Sequence, residues 1–266
     1  MYSFVFDGLV ERALAAGFSV LTYDRPGRGR SPWPVGARST EAFSVAVLRG
    51  LVTTLLRGRG RAVDVLLGIS MGGAIAASYV AAFGSTSCNR LVLMAPAGLP
   101  LTPQRLHERL IYAPLGIGLA LFRRLALANM VSSQADGFGV PGAPSNAAAI
   151  KRCEDELQAQ WATPGLGFVE ALHSTLSNYP LGQSPGLLLT DAFRAVERAG
   201  VATLVLWGTA DRICPFTNLA ALAALIPSAR VHTVEGAGHE LLHEQFDTSW
   251  DAILRFASPA FALTKG

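Results

Sequence analysis

Short apolar, β-prone segments alternate with helical segments along this chain of 266 residues. That alternation predicts an α/β fold, a mostly parallel sheet covered by helices on both faces. Composition agrees. Half of the residues are apolar or aromatic and 15% are charged, which excludes intrinsic disorder and allows a sizeable core without disulfides or metal. A third observation adds detail: the alternation stops over residues 99–200, which carry helical patterns without a convincing strand. The domain reading is therefore a core of residues 1–98 and 201–266 with an inserted helical cap at 99–200.

The elements follow in order. Phe4, Leu9, Ala13 and Ala16 suit a helix that ends at Gly17. Residues 18–23 (FSVLTY) are apolar and β-prone and sit before a turn-rich PGRGRSPWP, so they are predicted as a strand. Phe43, Val47, Leu51 and Leu55 recur at steps of four, predicting a helix over 40–57. Residues 63–69 read as a short apolar strand, and 71–83, small and apolar, as a buried helix. Strands are expected at 91–95, 201–207 and 231–234, with helices near 219–225 and 246–256. Within the insertion the helical patterns cover 104–130, 147–161, 166–177 and 187–199, separated by breaks such as GFGVPGAPSN.

Several function classes fall away. The balance of 22 basic against 19 acidic residues leaves +3, too little to imply nucleic acid, and RGRGR at 57–61 is the one dense basic run. Cys88, Cys153 and Cys214 have no CxxC spacing and read as free thiols. The uncharged stretch 65–83 is long enough to span a bilayer, but Gly68, Ser70, Gly72 and Gly73 interrupt it, and the run 110–122 is too short, so no transmembrane span is expected. Asp7 and Glu11 stand where a signal peptide would carry positive charge, which favours a cytoplasmic location. The absence of GxGxxG argues against a dinucleotide site, and no cofactor is expected.

The chemistry-bearing motif is Gly68-Ile69-Ser70-Met71-Gly72, a GxSxG that follows a predicted strand and opens a predicted helix. A chain turning from strand to helix in almost no residues holds the serine in a strained backbone position, with small neighbours at Gly68 and Gly72, and pushes its Oγ out at the carboxyl edge of the sheet. The Met71 N–H, at the start of the helix, points at a developing oxyanion. A serine nucleophile needs a base and an orienting carboxylate. Asp211, in GTAD after the strand at 201–207, and His239, in EGAGH after the strand at 231–234, follow in the order Ser, acid, His. A competing motif overlaps them. His239-Glu240-Leu241-Leu242-His243 spells HExxH, a zinc-peptidase signature, with Glu244, Asp247 and Asp251 as the nearby residues able to give a third ligand. Gly236 and Gly238 place His239 in a tight loop ahead of the helix, against that alternative. His107, His173 and His232 have no partner pattern.

Together, YDRPGRGRS at 23–31, GISMGG, LVLMAPAG, GTADRICP and GAGH resemble the serial signatures of the α/β-hydrolase family over about residues 4–257. The resemblance implies the α/β-hydrolase fold and a cofactor-free serine hydrolase using Ser70, His239 and Asp211. Monoacylglycerol-lipase-like esterases and carbon–carbon bond hydrolases are the nearest subgroups. It also implies an absence, because family members carry three strands before the helix that precedes YDxxGxGxS, the third ending in an HG-type loop that supplies a second oxyanion amide. Here Met1 falls just after that loop. The missing strand would lie between 18–23 and 63–69. Either those two pair directly, or residues 1–6 fill in, or the chain is a fragment of a longer product. Loss of one oxyanion donor costs on the order of 100- to 1,000-fold in rate.

The expected function is hydrolysis of carboxylic esters, lipid-like or with a small apolar acyl group, through an acyl-enzyme, with the run LIYAPLGIGLALF at 110–122 as a candidate acyl pocket or as cap core. A catalytically impaired relative and a carbon–carbon bond hydrolase are the alternatives.

Overall fold

The computed structural model describes residues 3–56, 63–101, 116–163, 165–182 and 188–258. The basic run at 57–61 and residues 110–115 of the run at 110–122 lie outside the described residues.

Four strands, β1 (Val63–Ile69), β2 (Cys88–Met94), β3 (Ala202–Gly208) and β4 (Arg230–Val234), form one sheet in the order β1-β2-β3-β4. Every pair is parallel, with Ile69 opposite Met94 and Met94 opposite Leu206. Alternation along each strand sends side chains to opposite faces. Leu66, Leu91, Leu93, Val205 and Trp207 enter one apolar cluster, and Val65, Leu67, Val92, Met94, Leu204, Leu206 and Val234 enter another. The two central strands, β2 and β3, are covered on both faces and read as nearly continuous apolar runs.

Helices α2 (Glu41–Leu55), α3 (Met71–Phe83), α7 (Thr190–Ala199) and α8 (Asn218–Leu225) cover the first face. Helices α1 (Asp7–Ala15), α9 (Leu241–Glu244) and α10 (Phe246–Ala257) cover the second through Leu9, Leu241, Trp250, Ile253 and Phe256. Thr40 caps α2, its Oγ1 accepting from the Phe43 N–H at 3.1 Å. Between β2 and β3 lie α4 (Ile117–Ser132), α5 (Ala147–Ala162) and α6 (Phe168–Asn178), which share a separate cluster of Phe122, Leu157, Phe168 and Val169. The last helix before β3, α7, differs: its Ala192, Phe193 and Val196 join the cluster that contains α3 and the sheet.

One expected element is corrected. Residues 18–23 are not a strand. Phe18 and Val20 pack toward one face of the sheet and Tyr23 toward the other, so the segment runs beside it. Among the described residues, however, no backbone ladder joins it to β1, whose outer edge is unpaired. Strand character requires ladder partners as well as β-prone residues. Residues 3–6 do not fill that edge either, since Ser3–Phe6 forms a 3-10 turn.

Candidate active site

Ser70 stands between the end of β1 and the first residue of α3. Its φ of 53° and ψ of −121° lie where a side-chain-bearing residue rarely sits. The surroundings hold it there. The Ser70 N–H donates to Met94 O at 2.9 Å, while the Ser70 C=O accepts from the Ala97 and Ala74 N–H groups at 3.0 and 3.2 Å. Gly68 is required by close approach, because a Cβ there would lie 2.2 Å from the Gly72 carbonyl oxygen. Gly72 itself faces open space, so its lack of a side chain has no steric cause among its neighbours. Met71 heads α3, with its N–H among those a helix start leaves unpaired within the helix. The Met71 Sδ accepts from Arg25 Nη1 at 2.9 Å. Burial lowers the Arg25 pKa, partly offset by Tyr23 and Tyr179.

Asp211 lies in the loop after β3 and His239 in the loop after β4, at the carboxyl ends of neighbouring parallel strands. Both are buried. His239 Nδ1 and Asp211 Oδ2 are 2.8 Å apart. An ionised carboxylate only accepts, so Nδ1 carries the proton and Nε2 is left as the base. Asp211 Oδ1 is occupied separately, accepting from the Ile213 and Cys214 N–H groups, both at 2.9 Å. Burial works against charge on His239, yet the hydrogen bond and charge of Asp211, with the charge of Glu240, outweigh it and raise the imidazole pKa.

Cys214 adjoins this pair, its N–H holding Asp211. Burial, reinforced by Asp211, pushes the thiol far above its usual range, so it stays protonated. Nothing in the cysteine spacing marked this residue. The GTADRICP segment does place it three positions beyond Asp211.

The HExxH reading does not fit the geometry. His239 precedes α9, and its Nδ1 is taken by Asp211. His243 Nδ1 pairs instead with Glu240 Oε2 at 3.1 Å. The two imidazoles therefore do not share a helix face, and among the described residues no three His, Cys, Asp or Glu side chains gather as a metal site. Glu244 is engaged elsewhere: its two carboxylate oxygens accept from the Gly139 and Gly238 N–H groups, each at 2.7 Å.

Residues 1–254 match the family described as the Alpha/beta hydrolase family. A putative non-heme chloroperoxidase of Synechocystis sp. is 28% identical over 247 residues, covering 91% of this chain and 82% of the relative. A 2-hydroxy-6-oxononadienedioate/2-hydroxy-6-oxononatrienedioate hydrolase of Cupriavidus pinatubonensis is 31% identical over 242 residues, covering 88% and 74%. Among solved structures, an esterase from Exiguobacterium antarcticum superposes with a TM-score of 0.74 at 18% identity, covering 96% of this chain and 87% of that one. A bromoperoxidase from Bacillus anthracis gives 0.73 at 19%, with the same coverage. At these identities the structural likeness speaks for the fold.

Proposed function

The chain belongs to the alpha/beta hydrolase family, has its fold and is a hydrolase, and from that premise we propose that it cleaves carboxylic esters through Ser70, His239 and Asp211. The observation that carries this reading is the buried 2.8 Å contact of His239 Nδ1 with Asp211, beside a serine held at positive φ on a strand-to-helix turn.

Ser70 Oγ attacks the acyl carbonyl carbon while His239 Nε2 takes its proton. The oxyanion forms against the Met71 N–H. Collapse breaks the C–O bond, His239 returns the proton to the departing alkoxide, and the acyl group stays on Ser70. Water, deprotonated by His239, then attacks the acyl-enzyme and releases the acid. Asp211 holds the tautomer and stabilises the imidazolium without itself taking the proton. The helices α4–α6, with their own apolar cluster, serve as the cap, whereas α7 packs as part of the core. The acyl group is apolar, either lipid-like or small, and no cofactor takes part.

A second reading is hydrolysis of a carbon–carbon bond next to a ketone. It is favoured by the 31% identity to the dienedioate hydrolase named above. One substrate panel tests both. Under the first reading p-nitrophenyl acetate and butyrate turn over, and Ser70→Ala abolishes that turnover. Under the second a 2-hydroxy-6-oxo-dienoate is consumed in preference to the esters. A folded chain that acts on neither removes both.

A further inference from the structure

A joint between the β2–β3 insertion and the His239 loop is not used by the steps above. Residues 137–139 (Gly-Phe-Gly) lie across that loop. The Gly137 C=O accepts from both the His239 N–H, at 2.6 Å, and the Glu240 N–H, at 3.0 Å. The Phe138 C=O accepts from Arg212 Nη2 at 2.9 Å, and Arg212 directly follows Asp211. Glu244, at the end of α9, completes the fastening. Its Oε1 accepts from the Gly238 N–H and its Oε2 from the Gly139 N–H, both at 2.7 Å. One carboxylate thus ties the residue before His239 to the insertion, with one oxygen for each. The approach is too close for side chains. A Cβ on Gly139 would lie 2.1 Å from the Gly236 carbonyl oxygen, and one on Gly238 would lie 2.5 Å from the Gly139 nitrogen.

We propose that Glu244 is a positioning residue for His239, holding its loop against residues 137–139 so that Nδ1 stays on Asp211 and the ring stays in place to act as the base. This rests on the Ser70–His239–Asp211 reading. The contact with Asp211 fixes the rotation of the ring but not the position of the backbone that carries it. Glu240 cannot serve, since its carboxylate is turned to His243. Hydrogen bonds from backbone N–H groups to a carboxylate are charge-assisted and stronger than neutral ones. They act here on a loop, the part of a fold that otherwise moves most. A displacement of about 1 Å at a catalytic group costs on the order of 100-fold in rate. The same carboxylate makes the placement of the base depend on the docking of the insertion.

The test compares Glu244→Gln and Glu244→Asp with wild type in the full chain, alongside Glu197→Gln. Glu197 is a matched control because its carboxylate also clamps a loop, accepting from the Ser228 N–H and Oγ, away from the site. Glu244→Gln keeps the size but turns an NH2 toward one of two N–H donors. Glu244→Asp keeps the charge but falls one methylene short. The readouts are kcat and KM on a p-nitrophenyl ester, the thermal midpoint, and the far-downfield proton resonance of His239 Nδ1–H in its bond to Asp211. Glu244→Gln is expected to lower kcat by about 10- to 100-fold, to leave KM little changed and to broaden or abolish the resonance. Glu244→Asp should fall between it and wild type, and Glu197→Gln should leave kcat and resonance as they were. A wild-type kcat and resonance in Glu244→Gln overturn the proposal. So does a loss that follows the thermal midpoint equally in Glu197→Gln. The resonance is read with or without turnover. If wild type hydrolyses no ester, the resonance alone decides this proposal, separately from the failure of the hydrolase reading.

Discussion

Replacing Asp211 with Asn changes one atom and should remove nearly all activity. The two N–H groups of Ile213 and Cys214 face Oδ1, each at 2.9 Å. Only the amide oxygen of the new side chain can accept them, so its NH2 must take the Oδ2 position, 2.8 Å from His239 Nδ1. Two donors cannot face each other there. His239 answers by moving its proton to Nε2, which leaves no lone pair to receive the Ser70 proton. Turning the amide over instead would aim its NH2 at both backbone donors and leave them unpaired in a buried site, at a cost of about 1–3 kcal/mol each. The wrong tautomer is therefore the lower state. The expected loss in kcat is on the order of 10,000-fold, as for the corresponding exchange in a serine protease triad. Initial rates on p-nitrophenyl acetate measure it, with the thermal midpoint as the check on folding. A folded Asp211→Asn that loses less than about tenfold would refute the reasoning, since a base held in the wrong tautomer cannot retain that much activity.

Three further outcomes are expected. Gly68→Ala should destabilise the fold by about 2–3 kcal/mol in a urea titration, because its Cβ meets the Gly72 backbone at 2.2 Å and neither side can yield; an effect within the error of the titration would show that the elbow relaxes. His239 has a raised folded-state pKa, so its charged form stabilises the fold most below the unfolded-state value, near 6.5, and that contribution is lost as pH rises through the folded value. The thermal midpoint of wild type relative to His239→Gln should accordingly fall as pH increases across that window, and a difference that stays flat or rises would contradict the sign. Burial pushes the thiols of Cys88 and Cys153 up to about 11 and that of Cys214 higher still. Iodoacetamide at pH 8 should therefore leave the native chain unmodified and label all three cysteines in denaturant, with native labelling of Cys214 as the contrary result.

The strand-to-helix turn at Ser70 was readable because two signals coincide there: an apolar run that ends in small residues, and GxSxG at the junction. Asp211 and His239 were readable because each follows a short strand within a few residues, and parallel strands bring their carboxyl ends to one edge. Gly68 is small for the reason expected, whereas Gly72 meets nothing. Residues 18–23 show where pattern stops short. Their β-prone character is real, and their side chains do reach both sheet faces, but a strand also needs a ladder partner, which a local pattern does not record. Helix α7 makes a related point. Its amphipathic pattern marks an apolar face without saying that the face meets α3 and the sheet, whereas α4–α6 meet one another. The Glu244 fastening left no trace at all. It joins the Gly139 N–H to a carboxylate 105 positions away, and backbone donors carry no residue identity.

The central claim is that Ser70 is a nucleophile activated by His239, and a fluorophosphonate probe tests it most directly, because the probe phosphonylates only an activated serine. The folded wild-type chain is expected to take up one probe per molecule, and Ser70→Ala none. Labelling that persists in Ser70→Ala, or a folded wild-type chain that takes up no probe, would contradict the account.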